Sequence, residues 1–270
     1  MKRRIRFGWM IALLCAAAAL AGAVGGRELW IQHKEQAEFE GLEKLFYMER
    51  KPATATGAMK EERPGEGALI TEDGAEPQAA LSADAAATQG HGLERMTARN
   101  EDCVGWIRIP GTKVSYPIMH TPLEPEKYLR RNFYGETSQS GVPFLDGRCS
   151  LLRTHLLIYG HNLRSGRMFG SLRYYTDVNY WKKHPEIELD TASGHAVYRI
   201  FAVLKTDSHD AWYHFLSAKN EVTFRVAVSN IQSRALYDTH ITPVYGQQLL
   251  TLSTCYGGKE GRLLVIAARS

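Results

Sequence analysis

From residue 100 onward, apolar positions come in short runs broken by turn residues. Val104-Gly105-Trp106-Ile107-Arg108-Ile109-Pro110 and Val114-Ser115-Tyr116-Pro117-Ile118 read as two strands joined at Pro110-Gly111. Residues 142–145 read as a short strand and Leu156 to Tyr159 as a buried one. Residues 187–190 and 196–204 follow as strands, and Leu249 to Thr254 and Leu263 to Ala267 as two more. Helical spacing is confined to a few places: 126–133, 168–175, 177–184, and 221–236 through Val222, Phe224, Val226, Val228, Ile231 and Leu236. Many short strands with few helices predict a mainly β fold, a barrel or a sandwich.

The first hundred residues have a different texture. Residues 7–26 form an apolar, uncharged run long enough to cross a bilayer as a helix. Lys2, Arg3, Arg4 and Arg6 precede it and predict a cytoplasmic N-terminus, with the remainder outside. The competing reading is a cleaved signal peptide, because Ala19-Leu20-Ala21 and Ala21-Gly22-Ala23 resemble small-residue cleavage sites. A helical pattern runs on through 27–51, which favours the anchor. Residues 52–99 are rich in Ala, Gly, Glu, Thr and Pro and carry no aromatic residue, so they read as a flexible linker. The predicted organisation is therefore a basic segment 1–6, a transmembrane anchor 7–26, a membrane-proximal helix 27–51, the linker, and a folded domain over 100–270.

Charge adds one exclusion. The four basic residues before the anchor account for the whole formal net charge of +4, so nothing indicates a nucleic-acid surface. The chain has no Cys-x-x-Cys and no His-Glu-x-x-His, and no metal or cofactor is expected. Cysteine usage is sparse. Cys15 falls inside the apolar run, and Cys103, Cys149 and Cys255 make an odd set, so at least one free thiol is expected. Cys103 and Cys149 either pair or are separate buried thiols.

Candidate chemistry gathers at three strand ends. Cys255 closes the run Gln248-Leu249-Leu250-Thr251-Leu252-Ser253-Thr254-Cys255. After the loop Tyr256-Gly257-Gly258-Lys259-Glu260-Gly261, Arg262 opens the next run. If the two runs pair as a hairpin, a thiol lies opposite a guanidinium. His161 ends a third run, Leu156-Leu157-Ile158-Tyr159-Gly160-His161. A nucleophile, a base and a fixed cation suit acyl transfer. Taken singly, each has a plainer reading: a buried thiol, a histidine without a role, a solvated strand-start arginine. His120, His155 and His195 are further histidines, of which His120 is the nearest candidate to the site.

Thr251-Leu252-Ser253-Thr254-Cys255 with Arg262 downstream and Tyr159-Gly160-His161-Asn162 upstream resembles the sortases, membrane-anchored cysteine transpeptidases of Gram-positive bacteria, most closely class B, over roughly residues 100–270. The resemblance implies a closed β-barrel with peripheral helices, one of them before the penultimate strand. It implies Cys255 as nucleophile, His161 as general acid and base, and Arg262 as oxyanion stabiliser. Thr254, Ser253, Tyr159 and Asn132 are implied along the substrate groove. Packing is the alternative for Thr254 and Ser253, and a helix C-cap for Asn132. Implied partners are surface proteins bearing an Asn-Pro-x-Thr-x-like sorting signal and a peptidoglycan amine. One departure is plain: many sortases carry an acid directly after the cysteine, and here Tyr256 stands there. The alternatives kept open are a pilin-polymerising sortase, a secreted cysteine hydrolase and a non-catalytic cell-wall binding domain of the same fold.

Overall fold

The computed structural model describes residues 26–27, 29–48 and 92–270. It divides into two compact units, Met1–Lys44 and Leu45–Ser270. In the first unit, helix α1 (residues 29–46) runs up to Lys44, and Gln36 Nε2 donates to Glu40 Oε1 at 2.8 Å along it. Among the described residues no helix is long and apolar enough to cross a membrane. The expected span 7–26, apart from Gly26, lies outside the described residues, as does most of the expected linker.

The second unit is a closed eight-stranded barrel. Its strands are β1 (Cys103–Arg108), β2 (Ser115–Met119), β3 (Phe144–Leu145), β4 (His155–Tyr159), β5 (Glu186–Thr191), β6 (Gly194–Asp207), β7 (Leu249–Cys255) and β8 (Gly261–Arg269). The order around the barrel is β1-β2-β3-β4-β7-β8-β6-β5, and β5 pairs with β1 to close it. The seam is thinnest between β2 and β3, which pair only through Met119 and Phe144. The β2–β3 and β4–β7 pairs are parallel, and the others are antiparallel. Trp106, Ile107, Leu157, Leu252, Leu264 and Ile266, from both faces of its strands, are all fully buried.

The periphery departs from the sequence reading in instructive ways. Residues 92–97, placed in the linker by their composition, form helix α2. Leu93 and Met96 are buried there, and a Cβ on Gly92 would lie 2.5 Å from Phe46 O, so the helix packs close against the chain at Phe46. Arg95 donates to the carbonyls of Leu45, Phe46 and Met48, satisfying groups at a helix C-terminus. Two apolar residues in a polar stretch were too few to show periodicity.

The helix expected over 126–133 shrinks to a 3-10 turn, Lys127–Leu129. Asn132 Oδ1 accepts from the backbone N–H groups of Tyr134 and Glu136, which draws the backbone into a turn instead. The segment expected as helix over 168–175 is the 3-10 helix Gly170–Thr176. Helix α3 (Val178–Lys183) is capped by the Asp177 carboxylate, and helix α4 (Glu221–Ser233) by Asn220. Helix α4 precedes the penultimate strand, as the resemblance implies.

Candidate active site

The barrel topology itself assembles the site. Strands β4 and β7 are parallel neighbours with Tyr159 opposite Ser253, so both end at the same rim. The next residues along each, Gly160-His161 and Thr254-Cys255, therefore emerge side by side. Strand β8 runs antiparallel to β7, which returns its first residues to that rim, with Arg262 in register with Cys255. The hairpin expectation holds. The turn between them is tight: a Cβ on Gly261 would fall 2.0 Å from Tyr256 O, and Gly257 has φ of 71°.

His161, Cys255 and Arg262 line one groove of about 630 Å3, together with Tyr159, Ser253 and Thr254. Cys255 is exposed. The ring of His161 is fixed by a 2.8 Å bond between Nε2 and Leu129 O. A carbonyl only accepts, so Nε2 carries a proton and Nδ1 is the nitrogen left to exchange one. Gly160 lets the chain reach this position, because a Cβ there would lie 2.6 Å from the Phe169 ring. Arg262 Nη1 donates to the Lys259 and Gly261 carbonyls at 3.0 and 2.9 Å, which holds the guanidinium at the groove. The Lys205 ammonium lies 5.2 Å from the centre of the ring of Tyr256, the residue that departs from the acid many sortases carry after the cysteine.

The substrate-side candidates are placed unevenly. Tyr159 lines the groove, its hydroxyl donating to Asp146 Oδ2 at 2.9 Å and its ring stacked on Tyr213 at 6.2 Å. Burial first, and the neighbouring Asp146 carboxylate second, push the Tyr159 phenol well above its ordinary value. Ser253 and Thr254 are 2% and 3% exposed. Their hydroxyls are already engaged, Ser253 with the Tyr213 hydroxyl at 2.8 Å and Thr254 with Gly160 O at 2.7 Å. Asn132 is not brought to the groove. It is 5% exposed, and its carboxamide organises its own turn and meets Glu136.

His120, His155 and His195 stand apart from the groove. His155 is fully buried in β4, bonded to Phe215 O and the Thr251 hydroxyl. His195 pairs with Asp190 at 2.7 Å. His120 Nε2 is buried without a hydrogen-bond partner. Cys103 and Cys149 are separate, buried free thiols, and burial pushes the Cys103 thiol up to about 12.

The sequence reading missed the far wall of the groove. Asp146, Arg148, Tyr213, Ser208 and His214 also line it. Arg148 grips Asp146 with two bonds, Nε to Oδ1 at 2.9 Å and Nη2 to Oδ2 at 2.8 Å, and donates to Tyr213 O at 2.9 Å. Burial raises the Asp146 carboxyl, but the bonds from Arg148 and Tyr159 outweigh it and hold that group below the usual carboxylate range. The available signal was Leu145-Asp146-Gly147-Arg148, a turn-forming Asp-Gly directly after a strand.

Residues 107–270 match the family model described as Sortase domain. Sortase B of Listeria monocytogenes is 29% identical over 198 residues, 70% of this chain and 80% of that protein. Among solved structures, sortase B of Bacillus anthracis superposes with a TM-score of 0.60 at 29% identity, covering 66% of this chain and 83% of the other. A Staphylococcus aureus sortase B–substrate complex is alike in fold, with a TM-score of 0.69 at 22% identity over 89% of this chain and 98% of that one.

Proposed function

The chain belongs to the sortase family, as a class B cysteine transpeptidase, and we propose that it cuts an Asn-Pro-x-Thr-x-like sorting signal after Thr and joins the upstream protein to a peptidoglycan amine. The Cys255 thiolate attacks the Thr carbonyl carbon, and Arg262 Nε and Nη2 stabilise the oxyanion. The C–N bond then breaks as His161 Nδ1 protonates the leaving amine, which leaves a thioester on Cys255. An incoming amine gives a proton back to His161 and attacks the thioester. The new amide forms, the C–S bond breaks and the thiolate returns. Tyr159 and the backbone of Ser253 and Thr254 border the bound signal. No cofactor takes part.

One observation carries this reading: Cys255 and Arg262 are register partners at the barrel rim, and His161 follows the end of β4, the strand parallel to β7, in a single groove. For the rest of the chain, the uncharged run 7–26 behind Lys2, Arg3, Arg4 and Arg6 supports a single-pass anchor with a cytoplasmic N-terminus. Helix α1 and the segment up to residue 91 then connect the anchor to an extracellular catalytic domain that meets surface proteins still in the membrane.

The test uses the full chain in detergent with a panel of quenched sorting peptides, with and without triglycine as acceptor. Ligation that requires the amine and vanishes in Cys255→Ala is expected. Cleavage indifferent to every amine offered would instead make the protein a hydrolase.

A further inference from the structure

Beyond the last ladder pair of β4 and β7, the two strand ends stay clasped. Gly160 N–H donates to Ser253 O at 3.1 Å, and the Thr254 hydroxyl donates back to Gly160 O at 2.7 Å. One step further out, Asn162 Nδ2 donates to Cys255 O at 2.7 Å. The bonds at residues 160 and 162 bracket His161 on one segment and reach Ser253, Thr254 and, from Asn162 alone, Cys255 on the other.

The Asn162 bond has a feature the other two lack. Because its partner is a carbonyl, the amide must present Nδ2 to Cys255 and turn Oδ1 away. Oδ1 is then buried with no hydrogen-bond partner. A buried acceptor left unpaired costs as much as, or more than, the net gain from one hydrogen bond. On stability alone the amide is a poor choice. What it supplies is a fixed position for the main chain of Cys255, measured from the residue next to His161.

Resting on the reading of Cys255 as nucleophile and His161 as acid, we infer that Asn162 is a positioning residue for the transfer reaction. By holding the Cys255 carbonyl it sets how Sγ approaches the His161 ring. It touches neither substrate nor the reacting atoms. Its effect falls on kcat, because misplacing a reacting group by an ångström lowers the rate of the chemical step while the groove that binds the signal is unchanged.

The experiment compares the full chain with Asn162→Ala and Asn162→Asp in peptide ligation, with every rate divided by the thiol titrated at Cys255. Asn162→Asp keeps the shape and sets a carboxylate oxygen against the Cys255 carbonyl, so it decides the matter if the alanine variant fails to fold. Both are expected to lose about 10- to 100-fold in kcat, with KM within about twofold of the parent and a displaced limb in the pH profile of kcat. A parent-like kcat per thiol with an unmoved pH profile overturns the inference. So does a loss that tracks only the unfolded fraction in a melting curve. Cys255→Ala is run alongside: turnover in that variant would sink the reading of the site itself. Its inactivity beside parent-like Asn162 variants would sink this inference alone.

Discussion

Cys255 and Arg262 stand directly opposite each other across the hairpin of β7 and β8, and the guanidinium is held there by the carbonyls of its own turn. A thiol paired in register with a cation that cannot deprotonate is suited to forming and stabilising an oxyanion, not to exchanging protons. Arg262→Ala is expected to lower kcat/KM for peptide cleavage by about 10²- to 10³-fold, the usual effect of removing an oxyanion donor. Arg262→Lys, which keeps the charge and loses the planar fork, should recover only part of that. Steady-state kinetics with thiol titration reads both, and parent-like turnover in Arg262→Ala would remove the arginine from the chemistry.

Gly160 sits between the β4 strand and His161 with no room for a side chain. The Phe169 ring that a Cβ would meet is fully buried and has nowhere to swing. Gly160→Ala is therefore expected to cost about 1–3 kcal/mol by overpacking and to displace His161. Activity should fall more than the folded fraction does, as read by circular dichroism melting beside ligation rates. Equal falls in the two would mean that the glycine serves folding only.

Asp146 ties the far wall of the groove together through Arg148 and Tyr159. Its folded carboxyl titrates below the unfolded value, so its contribution is present above the unfolded pKa of about 3.9 and is lost as pH falls through the lower folded value. The Arg148 side chain is 47% exposed, so solvent screens the pair and Asp146→Asn should cost only about 1–2 kcal/mol at neutral pH. KM for the peptide should rise as the wall loosens. A variant as stable as the parent at neutral pH, with the same KM, would show that the network holds nothing in place.

His155 makes the opposite kind of prediction, about the core and not the groove. Burial pulls its imidazole down to about 4, while the unfolded chain titrates near 6.5. Between those values the unfolded state binds the extra proton, so stability is complete above about pH 6.5 and declines as pH falls towards 4. The full loss is about 3 kcal/mol. His155→Gln should be less stable at neutral pH but show a flatter fall on acidification. Identical slopes in a series of thermal melts would place the acid sensitivity elsewhere.

How far the sequence carried the structure can be judged residue by residue. Strand ends with a chemical residue attached were legible: Cys255, Arg262 and His161 each close or open an apolar run, and the parallel β4–β7 pairing unites them. Hydrophobic runs report strands because both faces are buried, as along β7 from Leu249 to Thr254. Asn132 does not line the groove, because its side chain is taken up by its own turn, which no sequence pattern announces. Thr254 and Ser253 were placed at the groove, but their hydroxyls proved to be committed to Gly160 O and Tyr213. Asp146 and Arg148 were missed because they meet Tyr159 and Tyr213 only through tertiary packing, which leaves no period in the chain. Helix α2 was missed because its stability comes from burying Leu93 and Met96, with little propensity pattern around them.

Acyl transfer by this mechanism passes through a thioester on Cys255. Mixing the full chain with excess sorting peptide, quenching in acid and mapping the adduct by mass spectrometry tests it most directly. The peptide portion ending in Thr is expected on Cys255 alone, removed by added triglycine as the ligated product appears, and absent from Cys255→Ala. Rapid turnover with no adduct on Cys255, or an adduct carried by another residue, would contradict it.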